Sequence, residues 1–91
     1  MRYMVVERFT QGARPVYERA AAEGRMLPPG VRYVESWVAD ELDTCFQLLE
    51  ADDPTLLDEW MERWSDLVAF DDVVPVITSA EAAARASARG S

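Results

Sequence analysis

Apolar and polar positions change their periodicity several times along the chain, and each change marks a predicted element. A first strand is predicted from Arg2 to Phe9, a run rich in Val, Tyr and Phe. The next segment follows helical spacing from about Ala13 to Met26. It should end around Gly24, Arg25 and Met26, because the two prolines and the glycine of the following Leu27 to Gly30 stop a helix.

Two further strands are predicted from Val31 to Ala39 and from Thr44 to Ala51. The acidic run Asp40 to Asp43 lies between them and reads as a turn, so the two strands should form a hairpin. A second helix is predicted to start with Asp53 as its N-cap and Pro54 at its first position.

The second helix has the clearest periodicity in the chain, with charged residues on the face opposite its apolar stripe. Its stripe consists of Leu56, Leu57, Trp60, Met61, Trp64, Leu67 and Val68. Asp71 and Asp72 read as a solvated turn, and a fourth strand is predicted from Val73 to Thr78. Pro75 within that strand favours an edge position or a bulge.

The order strand, helix, strand, strand, helix, strand predicts an α+β, ferredoxin-like domain over residues 1–79. Right-handed crossovers would give a four-stranded antiparallel sheet with both helices on one face and the first and third strands adjacent. Residues 80–91 are rich in alanine but lack large apolar side chains, which indicates a short helix or a mobile tail.

The predicted hairpin allows the two faces of the sheet to be separated. A two- or four-residue connection would put Ala39 opposite Thr44. The pairs that follow are Trp37 with Phe46, Glu35 with Leu48 and Tyr33 with Glu50. One face then carries Tyr33, Trp37 and Phe46, and we expect a homodimer to bury these aromatic side chains.

The chain carries nine basic and seventeen acidic residues, which gives a formal charge of −8. This balance argues against nucleic acids and anionic membranes as partners, because phosphate binding requires a basic surface. The apolar run at the N-terminus is too short for a signal peptide, and no stretch is long enough to span a membrane. We therefore expect a cytoplasmic protein.

Several segments together resemble a known group of proteins. They are Met4 to Phe9, Gly24 to Pro28, Ser36 to Val38, Cys45 to Glu50, and Trp60 to Val68. The chain resembles a bacterial family of proteins of about 90 residues, a domain of unknown function. More broadly, the chain resembles the dimeric α+β barrel superfamily, in which two ferredoxin-like subunits join their sheets. The resemblance implies a small-molecule site between sheet and helices, and no established catalytic residue.

The composition restricts the chemistry that a site could perform. Without histidine, a His-ligated haem or a conventional zinc site is nearly excluded, and the chain has no glycine-rich phosphate loop. We therefore predict no cofactor and no metal. Glu7 interrupts an apolar strand and is the candidate general base. The alternative is a carboxylate at the strand end paired with Arg8 or Arg25.

Gln47 and Ser36 should lie opposite each other on the helix-facing side, where they bond either each other or a ligand. Trp60 and Trp64 lie one helical turn apart and either fill the core or form the wall of a pocket. Arg25 is either a cation at the end of the first helix or an anion clamp.

Two functions follow from these candidate residues. The first is a pocket for a small aromatic or carbonyl-bearing molecule, used for binding or for cofactor-independent catalysis. The second is a non-catalytic dimeric module that binds a protein partner. Cys45 reads as a small packed side chain, because no histidine is available to activate it. An unfilled cavity with convergent polar groups would favour the first function, and a filled core the second.

Overall fold

The structure, a computed structural model, describes the backbone of residues 1–90 and the side chains of residues 1–88. It contains four strands and three helices within that range. They are β1 (Arg2–Phe9), α1 (Ala13–Glu23), β2 (Val31–Val38), β3 (Thr44–Ala51), α2 (Thr55–Trp64), β4 (Val68–Val76) and α3 (Ser79–Gly90).

The four strands form one antiparallel sheet in the order β2-β3-β1-β4. The predicted order β-α-β-β-α-β is confirmed, and so is the adjacency of the first and third strands. Because β1 and β3 are the central strands, their helix-facing side chains lie at the middle of the domain.

The hydrophobic core lies between the sheet and α2. Its members alternate along β1 and β3, because successive side chains of a strand point to opposite faces. The buried apolar residues are Val5, Phe9, Val31, Cys45, Leu49, Ala51, Leu57, Trp60, Trp64 and Val68. Helix α1 packs against this cluster through partly buried side chains only and contributes no fully buried residue.

The second helix begins close to the predicted position. The Asp53 carboxylate accepts hydrogen bonds from the backbone N–H and the hydroxyl of Thr55, at 2.9 and 2.8 Å. The first of these bonds satisfies the Thr55 backbone N–H, a donor that has no partner within the helix. The helix ends at Trp64, so Leu67 and Val68 lie beyond it and not on its stripe.

The hairpin closes as the four-residue connection predicts. The Ala39 N–H donates to the Thr44 carbonyl oxygen at 2.8 Å. The predicted pairs of Trp37 with Phe46 and Glu35 with Leu48 are confirmed.

The predicted partner of Tyr33 is wrong. The register shifts between Tyr33 and Glu35, so that Val34 has no partner and Tyr33 lies opposite Leu49, not Glu50. Leu49 is fully buried beneath the helices. A one-residue shift moves a side chain to the other face, so Tyr33 lies on the helix side and not on the outer face with Trp37 and Phe46.

The fourth strand begins five residues earlier than predicted, at Val68. Asp71 and Asp72 are therefore part of β4 and do not form a turn. Asp72 lies opposite Val6, and an irregularity in the register follows directly. Asp71 is paired with Arg8 at 3.1 Å. The edge position inferred from the proline in this strand is correct.

The alanine-rich C-terminal segment forms α3. Thr78 and Glu81 cap its first turn reciprocally: the Glu81 N–H donates to the Thr78 hydroxyl at 3.1 Å, and the Thr78 N–H donates to the Glu81 carboxylate at 3.4 Å. Residues 79–88 are all exposed. The helix is therefore stabilised by its capped first turn and by helix propensity, and not by tertiary packing. Ser91, the end of the segment predicted as helix or tail, lies outside the described residues.

Among residues 1–90, no helix has the length and apolar character needed to cross a bilayer.

Candidate functional site

A cavity of about 170 Å³ lies between the sheet and the two helices α1 and α2. Its buried lining comes from the sheet and α2, and its partly exposed rim comes mainly from α1 and β2. The buried lining is Glu7, Phe9, Cys45, Gln47, Trp60 and Trp64, and the remaining lining is Val16, Tyr17, Ala20, Gly24, Arg25, Ser36 and Val38. The cavity exists because no large side chain of α1 is fully buried in the core between α1 and the sheet.

Glu7 is the buried carboxylate of this cavity. The alternation of β1 places it between the core residues Val5 and Phe9, and its side chain is 5% exposed. The Gln47 Nε2 amide donates to its Oε2 atom at 2.8 Å. Burial raises the pKa of Glu7, and Gln47, the Cys45 thiol and the charge of Arg25 offset only part of that increase.

Gln47 connects Glu7 to the rim of the cavity. Its amide nitrogen faces Glu7, while its Oε1 atom accepts a hydrogen bond from the Arg25 Nε atom at 2.9 Å. The two neighbours fix the orientation of the amide, because the carboxylate requires a donor and the guanidinium requires an acceptor. The Arg25 guanidinium also stacks on the ring of Tyr33, 3.6 Å from its centroid.

The backbone around Arg25 adopts an unusual conformation. Gly24 has φ of 71° and Met26 has φ of 58°, both in the left-handed region. The Arg25 carbonyl oxygen accepts hydrogen bonds from the Nε1 atoms of both Trp60 and Trp64, each at 3.0 Å. The two indoles therefore hold this segment in place. Because both indole N–H groups already donate to the Arg25 carbonyl oxygen, the tryptophans contact the cavity only with their ring surfaces.

Ser36 lies opposite Gln47 as predicted, but the two side chains do not bond each other. The Ser36 hydroxyl is instead hydrogen-bonded to the Tyr33 hydroxyl at 2.8 Å. The predicted position of Tyr33 on the outer face is wrong, and its contact with Arg25 was not predicted. Only knowledge of the bulge at Val34 would have revealed it.

Cys45 lies directly across the sheet from Glu7 and is buried. Burial, with a smaller contribution from the nearby Glu7 carboxylate, raises the pKa of its thiol to about 12. Burial also raises the pKa of the rim residue Tyr17, with smaller contributions from Cys45 and Glu7. At neutral pH both groups are protonated, so Cys45 is not a thiolate nucleophile.

The structure resolves the ion-pair alternatives for Glu7. Arg8 is directed away from it and binds Asp71. Arg25 reaches Glu7 only through Gln47. Glu7 is thus neither exposed nor paired directly with an arginine.

All six residues selected from the sequence line the same cavity: Glu7, Arg25, Ser36, Gln47, Trp60 and Trp64. Their chemical roles stay predictions. Across residues 1–90, no group of three or more His, Cys, Asp or Glu side chains is arranged to hold a metal ion.

A family model described as "Domain of unknown function (DUF3303)" matches residues 1–90 of the chain. The chain belongs to the DUF3303 family. No curated protein and no solved structure gives a significant match. Membership confirms the resemblance to a short domain of unknown function, and it assigns no activity to the cavity.

Proposed function

We propose that this protein binds a small molecule between its sheet and helices, next to Glu7. The observation that carries the proposal is a buried carboxylate beside an unfilled cavity. Burying a charged group is costly, and a buried carboxylate usually has a direct cationic partner or becomes protonated. Glu7 instead has an amide partner and faces open space.

A proton acceptor is the chemical role that suits Glu7. A general base works best when its pKa lies near the working pH, and burial moves the pKa of Glu7 upward toward neutrality. Gln47 holds the carboxylate in a fixed orientation, so no side-chain rearrangement is needed to present it to a ligand. The proposal covers binding alone and cofactor-independent proton transfer, since both require a ligand beside this group.

Native mass spectrometry of the freshly purified protein tests the proposal. We expect one small molecule per subunit, lost in Ala20→Phe because Ala20 lines the cavity. Ala21→Phe is the matched control, since Ala21 is the next residue of α1, is exposed and does not line the cavity. An adduct that Ala20→Phe retains would contradict the proposal. So would a wild-type protein that binds no molecule from a library of small aromatic and carbonyl-bearing compounds.

We also propose that the outer face of the sheet joins a second copy, in the manner of the dimeric α+β barrels. This face is apolar at its centre, and its largest side chain, Trp37, is 52% exposed. The apolar side chains that share the face, from the registers of the four strands, are Met4, Val6, Trp37, Phe46, Leu48, Val74 and Val76. Dimerisation would be compatible with the alternative function, a non-catalytic interaction module, but the unfilled cavity favours ligand binding.

A further inference from the structure

Arg25 is the arginine that lines the cavity, and its contacts differ from those of the paired arginines. Within the described residues, five arginines lie within 4.0 Å of a carboxylate: Arg2, Arg8, Arg19, Arg32 and Arg63. Arg14, Arg25 and Arg85 form no such pair there, and of these three Arg25 lines the cavity. Its guanidinium instead contacts an amide and an aromatic ring at the rim of the cavity.

The contacts of Arg25 fix the guanidinium and leave part of it free. Its Nε atom donates to Gln47 and one face lies on the ring of Tyr33. Its two terminal nitrogens donate to no residue of the described chain. A planar guanidinium with two adjacent free donors binds a carboxylate through two parallel hydrogen bonds. The ring below it also reduces the loss of side-chain entropy when an anion binds.

The cavity restricts the size and polarity of the rest of the ligand. An apolar cavity of about 150 Å³ is large enough for one benzene ring, and this one measures about 170 Å³. Phe9, Val16 and Ala20 give it apolar surfaces, and the indoles of Trp60 and Trp64 complete the lining. Their ring surfaces favour stacking or edge contact with an aromatic group.

The charges limit the ligand to one negative group. Arg25 is the cation at the rim, and Glu7 lies at the buried end of the hydrogen-bonded chain that Gln47 completes. A dianion such as a phosphate monoester would bring a second negative charge toward Glu7 with only one guanidinium to offset it.

We propose that the cavity binds a small monocarboxylic acid with a single ring, with its carboxylate on the terminal nitrogens of Arg25 and its ring between α1 and the tryptophans. This inference rests on the proposed function and adds the class of ligand to it.

Isothermal titration calorimetry with benzoate and with its neutral isostere benzamide tests this proposal. Wild-type protein should bind benzoate at one site per chain. Its affinity for benzamide should be lower by about tenfold or more. Arg25→Gln should weaken benzoate binding by about tenfold or more and leave benzamide binding unchanged. Arg25→Lys should give an intermediate affinity, because it keeps the charge and loses the paired donors.

Arg14→Gln is the matched control, since Arg14 is an exposed arginine of α1 that does not line the cavity. It should bind benzoate like the wild type. Equal affinities for benzoate and benzamide, or benzoate binding that Arg25→Gln leaves intact, would overturn the carboxylate assignment while the cavity remained a binding site. Failure of both probes to bind the wild-type protein would overturn the ligand class proposed here. The native mass measurement with Ala20→Phe would then decide separately whether the cavity binds another molecule.

Discussion

At Glu7 the chain places a carboxyl group at a position where Val5 and Phe9, two residues away on either side, belong to the core. Desolvation disfavours the charged form of such a group, and its three polar neighbours recover only part of the cost. A glutamine in the same place would fill the same volume without this penalty. We therefore expect Glu7 to lower stability at neutral pH relative to a glutamine at the same position.

Glu7→Gln should stabilise the protein, increasingly so as pH rises. The folded pKa of Glu7 lies above its ordinary value of 4.5, so the folded state binds this proton more tightly than the unfolded state. The resulting contribution to stability is complete below pH 4.5 and is lost as pH rises through the folded pKa. The loss is about 1.4 kcal/mol for each unit by which the pKa is raised.

Urea unfolding of wild type and Glu7→Gln between pH 4 and 8 measures this difference. The free energies of unfolding should diverge with increasing pH and become parallel above the folded pKa. The other titratable groups near the carboxylate, Cys45, Tyr17 and Arg25, are common to both proteins. Glu18→Gln, a change to an exposed glutamate of α1, should show no such divergence. Parallel curves for Glu7→Gln over the whole range would show that its pKa is not raised.

Single residues also show how far sequence can predict a site. Glu7 and Gln47 could be placed together because strict alternation along β1 and β3 fixes which side chains face the helices. Tyr33 could not be placed, because the bulge beside it occurs at Val34, a residue with ordinary strand propensity. No glycine or proline marks that irregularity.

The helices and strands differ in how well the residues at their ends predict their boundaries. The boundaries of α1, β1 and the hairpin were predictable from glycine, proline and acidic turn residues. The start of β4 was not, because two aspartates normally indicate a turn and here lie in an edge strand. Asp71 is tolerated there because it is exposed and paired with Arg8. Local composition cannot reveal a partner 63 positions away.

Helix α3 should be dispensable for the stability of the domain. A chain that stops after Thr78 should lose helical signal at 222 nm in circular dichroism but less than about 0.5 kcal/mol of unfolding free energy. The reason is that residues 79–88 are exposed and the core cluster contains none of them. A loss of several kcal/mol in the truncated protein would show that α3 packs on a surface of the folded assembly.

At the scale of the whole molecule, the two faces of the sheet have different environments. One face carries the core, the cavity and both helices α1 and α2. The other carries exposed apolar side chains, including Trp37 on the edge strand β2 and Phe46 on the central strand β3, at 52% and 38% exposure. Burying the rest of Trp37 alone would contribute about 2–3 kcal/mol, before the cost of association.

Trp37→Glu should convert a dimer into a monomer. Sedimentation velocity at micromolar concentration should give the mass of two chains for the wild type and of one chain for the variant, because a charge placed in an apolar interface is costly to desolvate. Leu42→Glu provides the control, as Leu42 is 56% exposed but lies in the turn between β2 and β3. A wild-type protein that sediments as a monomer would contradict the proposed assembly.

The chain has one thiol, that of Cys45, and it lies inside the cavity with its pKa raised to about 12. An alkylating reagent should therefore react slowly with the folded chain, because little of the thiol is present as thiolate. The modification rate at fixed reagent concentration then reports the accessibility of the thiol, without any added label. A molecule seated against Glu7 would slow that rate, so the kinetics of alkylation would register occupancy even for ligands that produce no spectroscopic change.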